Sequence, residues 1–378
     1  MTVPSNSPKP QKSASQSAGS DVDLALQKAH RKIKQLLIDQ SPPSGSVDIA
    51  DAYEISQQVL EGYATLDLTH YSGIQLLVKT ISSYAKDRSR RRPLNIVLHA
   101  EPGSGKSHFV KCLAKKLSDV RVKEVVFNMS SMRGVEDLAH PIDAVRDIKV
   151  SDRLPLLFLD EFDSRDENFA ALLPLLWDGE IAVGNRLLQT GKMIVVLAGS
   201  GTRIEQVMTA LRKMKAATRA KDGKLNDLLT RINGGELTIP PLDAISADRD
   251  RRVDKICLAI SLLRNRFGRS LIKVPWALLR FIIDTPFKHG ARSLFTLIDL
   301  IPPPSEPAKE LRLEELHLPL DSVDAFKSSN LIFHIKGSNP NAVVAKWQAL
   351  AKTGALVTCA YGDNILTRLL RNEPLFKK

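Results

Sequence analysis

A glycine-rich stretch at residues 100–107, A-E-P-G-S-G-K-S, has the residue types needed to hold phosphate groups. It follows the apolar run 95–99 and precedes the helical run 108–117. In a strand–loop–helix of this kind, backbone N–H groups surround a β-phosphate, a lysine reaches the β- and γ-phosphates and a hydroxyl ligates Mg²⁺. The dipole of the following helix also favours an anion. Ala100 replaces the first glycine of the usual pattern, a mild departure. The residues expected to bind the phosphates are Pro102, Gly103, Ser104, Gly105, Lys106, Ser107 and His108.

Two adjacent carboxylates, Asp160 and Glu161, follow the apolar run 154–159. Next to a phosphate loop, Asp160 can hold Mg²⁺ through a water, with Ser107 as the other metal-binding side chain. Glu161 can polarise the water that attacks a γ-phosphate. The alternative is a solvated strand end with no chemical role.

The strands and helices that must position these groups alternate along the chain. Apolar runs typical of buried strands occur at 95–99, 123–127, 154–159, 193–198 and 236–239, and helical patterns at 72–84, 108–117, 135–148, 169–177 and 203–220. This alternation predicts an α/β fold with a parallel sheet sandwiched by helices. Further helical patterns at 21–40 and 50–61 precede it.

The pattern changes after the fifth strand. Helical runs near 246–267, 275–284 and 291–301, with no strand between them, predict a small all-helical domain, here called the lid. A proline-rich linker leads to a small α/β extension with a strand at 331–336, a helix at 342–352 and a strand at 355–360. The predicted organisation is a disordered tail and leading helix (1–46), a nucleotide-binding core (47–241), the lid (242–301) and the linker with a C-terminal module (302–378).

The overall composition limits the classes of protein to which this chain could belong. The 378 residues carry a formal net charge of +12, which suits a polyanionic partner such as nucleic acid or simply offsets acidic partners. No apolar run approaches the roughly 18–20 residues that span a bilayer, and the first 20 residues resemble no secretory signal. Cys112, Cys257 and Cys359 lack metal-binding spacing and are expected to be reduced thiols. We therefore expect a cytoplasmic protein without membrane contact.

The motifs over 72–301 together resemble those of the AAA+ ATPase family. H-A-E-P-G-S-G-K-S is similar to its Walker A motif and L-L-F-L-D-E-F-D to its Walker B motif. The resemblance implies ATP and Mg²⁺ as cofactors, ATP hydrolysis, and a homo-oligomeric ring or open spiral of about six subunits. N-M-S-S-M and H-G-A-R-S-L also resemble a prokaryotic subgroup associated with conflict or defence systems.

The resemblance assigns roles to side chains at two further strand ends. Asn128 matches a polar residue that restrains the catalytic glutamate, here Glu161, although an asparagine that forms a turn is an alternative. Ser200 best matches the sensor 1 position, with Thr202 as a second choice, and either hydroxyl could orient water or the γ-phosphate. A simple Gly-Ser-Gly turn is the alternative for that segment.

Two arginines match positions that act on the γ-phosphate. Arg231, in D-L-L-T-R-I, resembles the arginine finger that serves a neighbouring subunit's nucleotide, which is why the resemblance implies an oligomer. Arg292, in H-G-A-R-S, resembles the sensor 2 arginine that contacts the nucleotide of its own subunit. An exposed arginine without a role is the alternative for each.

The partner of such an ATPase is less well indicated. The segment 130–134, S-S-M-R-G, lies where protein-threading relatives carry an aromatic residue, and Arg133 could instead follow a phosphate backbone. The basic stretches 86–92 and 212–224 could bind nucleic acid or form solvated faces. Three functions stay open: remodelling of a protein or nucleic acid, an ATP-gated scaffold that recruits a separate effector with slow turnover, and a structural protein that does not hydrolyse ATP. Asp160, Glu161 and Arg231 argue against the third.

Overall fold

The computed structural model describes residues 24, 60, 63, 65, 67–165, 167–199, 223–243, 245–246, 249–250, 252–267, 273–302, 311, 316, 318–352 and 356–358. The predicted helices at 21–40, 50–61 and 203–220 lie outside them, apart from Leu24 and Leu60. The strands are β1 (Leu94–Ala100), β2 (Val122–Asn128), β3 (Leu154–Asp160), β4 (Glu180–Val183), β5 (Arg186–Gln189), β6 (Ile194–Gly199), β7 (Glu236–Ile239), β8 (Ile245–Ser246), β9 (Arg249–Asp250), β10 (Lys273–Pro275) and β11 (Leu356–Thr358). The α-helices are α1 (Leu68–Lys86), α2 (Lys106–Lys116), α3 (Ala139–Val150), α4 (Glu167–Trp177), α5 (Gly223–Leu229), α6 (Arg252–Phe267), α7 (Trp276–Asp284), α8 (Ala291–Asp299), α9 (Val323–Ser328) and α10 (Pro340–Lys352).

The central sheet has five strands in the order β2-β3-β6-β1-β7, and every neighbouring pair is parallel. This confirms the predicted α/β fold, and each of the five strands predicted for the core agrees with a strand of this sheet to within one residue at either end. The agreement has a physical cause. Interior strands of a parallel sheet are buried on both faces, so they appear in the sequence as uninterrupted apolar runs.

Each face of the sheet packs against its own apolar cluster. Ile96 and Leu98 of β1 point to a cluster that includes residues of α1, α2 and the helices after β7. Val97 points to the opposite cluster, formed with α3, α4 and α5. Alternating side chains of the same strands therefore hold both helical layers in place.

The segment after β7 is mostly helical, but the prediction that it contains no strand is wrong. β8 and β9 form a short antiparallel hairpin, and β10 pairs antiparallel with β11 near the end of the described chain. β8, β9 and β10 have two or three residues each, too few for a local apolar pattern to predict them, whereas β11 lies within the predicted strand 355–360. The hairpin of β4 and β5 also escaped prediction.

The predicted strand at 331–336 is wrong as well. Residues Leu331–Phe333 form a 3₁₀ turn, and Ile335 makes a single bridge to Phe287. Leu331 and Ile335 are buried whereas Phe333 between them is 62% exposed. A strand would place all three side chains on one face, so this burial pattern requires a turn.

The C-terminal helices pack directly on the helices that follow β7. The ring of Trp347 in α10 meets the ring of Phe281 in α7 edge to face, with 5.6 Å between centroids. Both rings belong to the apolar cluster that reaches the central sheet. Among the helices of the described chain, none has the length and apolar character required to cross a lipid bilayer.

Candidate functional site

The loop between β1 and α2 has the backbone shape of a phosphate cradle. Gly103 and Gly105 adopt positive φ angles of 81° and 89°, a conformation that side-chain-bearing residues rarely adopt. A Cβ atom on Gly105 would meet no atom within 4 Å, so its conformation, rather than crowding, calls for glycine. A Cβ on Gly103 would lie 2.0 Å from the backbone oxygen of His289, so glycine is needed there for space as well.

The first turn of α2 carries the side chains predicted to bind phosphate and metal. Lys106 is 8% exposed, and its Nζ lies 3.6 Å from Oδ1 of Asp160 at the end of β3. Ser107 and His108 are exposed on the same turn, and the Nε2 atom of His108 lies 3.6 Å from Sγ of Cys112. The structure therefore brings a buried ammonium, a carboxylate and a hydroxyl-bearing residue together at one edge of the sheet.

Ser104, in the middle of the loop, provides an independent indication of a ligand. Its Oγ atom is buried and has no hydrogen-bond partner. A buried hydroxyl without a partner costs free energy, and a phosphate oxygen would satisfy it. The open position above Gly105, the orphaned Ser104 hydroxyl and the Lys106 ammonium fit a bound phosphate chain. The Ser107 and Asp160 oxygens are the hard ligands that Mg²⁺ prefers.

The two carboxylates after β3 are held in different ways. Oδ1 of Asp160 accepts a hydrogen bond of 3.0 Å from the backbone N–H of Glu161. Glu161 itself has φ 54° and ψ 38°, the left-handed conformation, which costs a residue with a side chain of the order of 1–3 kcal/mol. The strand therefore ends abruptly at Asp160, and Glu161 begins the short 3₁₀ turn Phe162–Ser164.

Asn128 ends β2 directly beside Asp160 in the register of the sheet. Its Oδ1 atom accepts hydrogen bonds of 2.8 Å from both the N–H and the hydroxyl of Ser130. No hydrogen bond joins Asn128 to Glu161 within the described residues. The structure thus has the turn-forming geometry that was the alternative to a restraint on the glutamate.

The sensor 1 candidates, Ser200 and Thr202, lie outside the described residues. The strand that leads to them is well placed, because Ala198 of β6 pairs with Asp160 of β3.

Arg231 lies at the opposite edge of the sheet from the phosphate loop. Its carbonyl oxygen accepts a 2.9 Å hydrogen bond from Nδ2 of Asn95, the second residue of β1. The loop leaves β1 after Ala100, so about 16 Å of strand separates the two positions. One guanidinium nitrogen of Arg231, Nη1, is buried without a hydrogen-bond partner. The arginine therefore cannot reach the phosphate loop of its own chain.

Arg292 lies near the phosphate loop. It is the second residue of α8 and is exposed, and the two residues before α8 pack on the loop. A Cβ on Gly290 would be 3.3 Å from the backbone oxygen of Gly103, and His289 makes the close approach to Gly103 described above. The start of α8 thus lies against the loop.

Two sets of contacts hold the segment 287–290, which touches the phosphate loop, in place. Oδ2 of Asp243 accepts a 2.6 Å hydrogen bond from the N–H of Phe287, while its Oδ1 is 2.5 Å from Nζ of the buried Lys255. Burial lowers the pKa of Lys255, and the charge of Asp243 opposes this effect. From the C-terminal side, the carbonyl of His334 accepts a 2.7 Å hydrogen bond from the N–H of Lys288.

The side chain of His334 makes a second contact there. Its Nδ1 atom lies 3.1 Å from Oγ of Ser293, which accepts a 3.0 Å hydrogen bond from the N–H of His289. The two histidine rings meet edge to face at 5.7 Å. Sequence reasoning missed His289 and His334 because their importance depends on contacts between distant segments.

A second group of residues that sequence reasoning did not identify lies beside α2. The hydroxyl of Tyr63 is 2.9 Å from Nε2 of His70, and its ring meets Phe109 edge to face at 5.2 Å. The ring of His108 lies 6.4 Å from that of Tyr63. These residues form an aromatic wall next to the first turn of α2.

Comparison with known proteins supports the interpretation of the loop. Residues 96–222 match the family model described as ATPase family associated with various cellular activities (AAA). No curated protein matches the chain.

Several solved structures are similar at low sequence identity. One is the Hsp104–ADP complex of S. cerevisiae (16% identity, TM-score 0.36, 52% of this chain and 37% of that one). Two others are NtrX from Brucella abortus with ATP (16%, TM-score 0.43, 84% and 72%) and with ADP (13%, TM-score 0.44, 78% and 69%). The chain thus spans 37% of the length of the Hsp104 chain that it matches.

The matched segment begins within β1 and includes the phosphate loop, both carboxylates and β6. Its phosphate loop and parallel sheet agree with this match, and residues 96–222 are thus similar to that ATPase family.

Proposed function

We propose that this chain binds ATP with Mg²⁺ between the phosphate loop and the start of α8, and that it hydrolyses ATP within an oligomer. The observation that carries the proposal is the buried Lys106 ammonium, 3.6 Å from Asp160 behind a loop with two left-handed glycines. A buried cation beside a loop of this shape is suited to a polyphosphate, because the ammonium neutralises charge that the loop amides alone cannot.

Each residue then has a defined task. The loop amides, Ser104 and Lys106 hold the phosphates, while Ser107 and Asp160 hold Mg²⁺. Bound Mg²⁺ would neutralise charge on the phosphate oxygens. Glu161 takes the proton of the attacking water as general base. Arg292 contacts the γ-phosphate of its own chain.

Arg231 completes the site of a neighbouring copy. Its position at the far edge of the sheet supports this role, because a guanidinium that cannot reach the phosphate loop of its own chain can act only on a γ-phosphate supplied by a neighbour. The work done with ATP is remodelling or recruitment of a macromolecular partner. The alternative is an ATP-gated scaffold, which would hydrolyse ATP slowly. Such a scaffold would still assemble when Glu161 is replaced by Gln.

A mixing experiment tests the shared site. Glu161→Gln protein lacks the general base but has Arg231, and Arg231→Ala protein has the general base but lacks the finger. We expect little phosphate release from either variant alone and substantial release from a mixture of the two. The matched control mixes Arg231→Ala with the double variant Glu161→Gln/Arg231→Ala, in which no chain supplies a finger. A mixture no more active than this control would contradict the shared site.

A further inference from the structure

The amino edge of the central sheet, opposite the phosphate loop, carries a row of cations. Four neighbouring strands, β2, β3, β6 and β1, are each preceded by a basic residue within two positions of the strand start. These residues are Arg121, Arg153, Lys192 and Arg92, in that order across the sheet. Because all four strands are parallel, their starts share one edge, and a strand spacing of about 4.8 Å gives a row of about 14 Å.

The turn between α1 and β1 extends the row. Arg88, Arg90, Arg91 and Arg92 are all exposed there. Lys192 fixes this turn to the sheet, since its Nζ donates hydrogen bonds to the carbonyls of Ala85 (3.1 Å) and Asp87 (2.7 Å). Burial lowers the pKa of Lys192, the charge of Asp87 raises it and that of Arg91 lowers it. The turn is thus held against the row rather than extending freely into solvent.

We name this surface the basic edge and define it by its cations: Arg88, Arg90, Arg91, Arg92, Arg121, Arg153 and Lys192. Two of them have carboxylate partners, since Arg90 pairs with Asp87 at 3.4 Å and Arg121 pairs with Asp152. In the part of the chain that the structure describes, Arg88, Arg91 and Arg153 have no ion pair. The edge therefore holds an uncompensated positive charge that is fixed in position by the sheet.

The chemistry of the edge indicates the partner. Six of its seven cations are arginine, whose planar guanidinium matches phosphate oxygens in a bidentate way that lysine cannot. Trp177 is 44% exposed beside the row, and the guanidinium of Arg92 lies 4.2 Å from its ring centroid. An exposed aromatic ring within an arginine-rich surface is typical of sites that bind nucleic acid strands.

We propose that the basic edge binds the phosphate backbone of a nucleic acid. The site is separate from the nucleotide site, so nucleic acid would bind at one edge of the sheet while ATP binds at the other. The chain's formal net charge of +12 favours such a complex at low salt.

The test is fluorescence anisotropy of the full chain with labelled 20-nucleotide probes: single-stranded DNA, the matching duplex and RNA of the same sequence. Titrations at 50 and 200 mM NaCl give the affinity and its salt dependence. The variant Arg88→Ala/Arg91→Ala/Arg153→Ala removes three unpaired cations of the edge. The control Lys327→Ala/Lys336→Ala/Lys352→Ala removes three exposed cations of the C-terminal segment, so both variants have the same net charge.

We expect the edge variant to bind at least about tenfold more weakly than the wild type at 50 mM NaCl, with a salt slope smaller by about three. The control should stay within about twofold of the wild type. The probe with the largest loss identifies the kind of strand.

Four results would overturn the proposal: no binding by the wild type at low salt, equal weakening in both triple variants, binding to phosphatidylserine vesicles in place of nucleic acid, or loss of oligomers in the edge variant. ATP turnover without nucleic acid is measured on the same samples. It should be unchanged in the edge variant, and its absence from the wild type would contradict the proposed function while leaving this proposal standing.

Discussion

The two edges of the central sheet differ in how their functional groups are assembled. At the carboxyl edge, the phosphate loop and the two carboxylates come from short continuous segments, 100–107 and 160–161. At the amino edge, Arg231 and the basic edge come from residues scattered between positions 88 and 231. In our proposals, the carboxyl edge binds the nucleotide of its own chain and the amino edge contacts partners. Variants at the two edges should therefore have separable effects.

The largest expected effect is at the carboxyl edge. Lys106→Ala removes the buried cation beside Asp160, and a lost charge-assisted contact to phosphate costs about 1.5–3 kcal/mol, which is about tenfold to more than a hundredfold in affinity. We expect ATP affinity, measured by isothermal titration calorimetry, to fall by about tenfold to a hundredfold. Lys111→Ala, on an exposed turn of the same helix, is the control and should bind as the wild type does. Unchanged affinity in Lys106→Ala would disprove the assignment of the phosphate loop.

The functional groups of the carboxyl edge were far easier to predict from the sequence than those of the amino edge. The strands β3 and β6 are uninterrupted apolar runs, and the groups after them are contiguous, so local pattern sufficed. The basic edge depends on strand order. Arg121, Arg153 and Lys192 become neighbours only when β2, β3 and β6 lie side by side, and no local pattern specifies that order. The contact of His289 with Gly103 is non-local in the same way.

The second prediction tests the contact between the phosphate loop and the start of α8. Gly103→Ala would place a Cβ 2.0 Å from the carbonyl oxygen of His289, so the loop or α8 must move. We expect ATP affinity to fall by about tenfold or more, because both Lys106 and Arg292 depend on this contact. Gly184→Ala is the control: its φ of 55° brings a similar backbone strain, but its Cβ would meet no atom within 4 Å.

Thermal or urea unfolding distinguishes the effect of backbone strain on stability from the loss of ATP binding. Both glycine variants should lose about 1–2 kcal/mol of unfolding free energy to the left-handed backbone. Only Gly103→Ala should also lose ATP affinity. Equal ATP affinities in the two variants would show that the start of α8 does not contribute to the nucleotide site.

The third prediction is for the amino edge. Asn95 is buried, and its Nδ2 donates hydrogen bonds to the carbonyls of Leu176 (2.7 Å) and Arg231 (2.9 Å). Asn95→Ala leaves both carbonyls without this donor, and we expect a loss of about 2–4 kcal/mol of unfolding free energy. Asn341→Ala, at an exposed position of α10, is the control and should change stability by less than about 0.5 kcal/mol.

The same variant distinguishes the two edges. Below its unfolding temperature, Asn95→Ala should bind ATP with nearly wild-type affinity, because the phosphate loop lies at the other end of β1. In a Glu161→Gln background, its ability to restore turnover to Arg231→Ala protein should fall, because the carbonyl that positions Arg231 is released. A parallel loss of ATP affinity would show that the edges are coupled through β1.

The smallest expected effect concerns His334, which lies behind the start of α8. Burial lowers the pKa of His334 from its ordinary value near 6.5, and the neighbouring His289 lowers it further. The neutral ring is therefore favoured in the folded chain. As the pH falls below about 6.5, the unfolded chain takes up a proton that the folded chain resists, so the stabilisation present above that pH is lost as the pH approaches the lower, folded pKa.

His334→Asn removes the titrating group and retains a polar side chain that can reach Oγ of Ser293. We expect its unfolding free energy to fall less steeply than that of the wild type between pH 7 and 5, as measured by urea denaturation. The exposed His140→Asn should keep the wild-type slope.

If His334 also positions the loop through Ser293 and His289, the ATP affinity of the wild type should weaken over the same pH range and that of His334→Asn should weaken less. Identical slopes for all three proteins would mean that protonation of His334 is not resisted by the fold, and the contact between α8 and the phosphate loop would then be insensitive to pH.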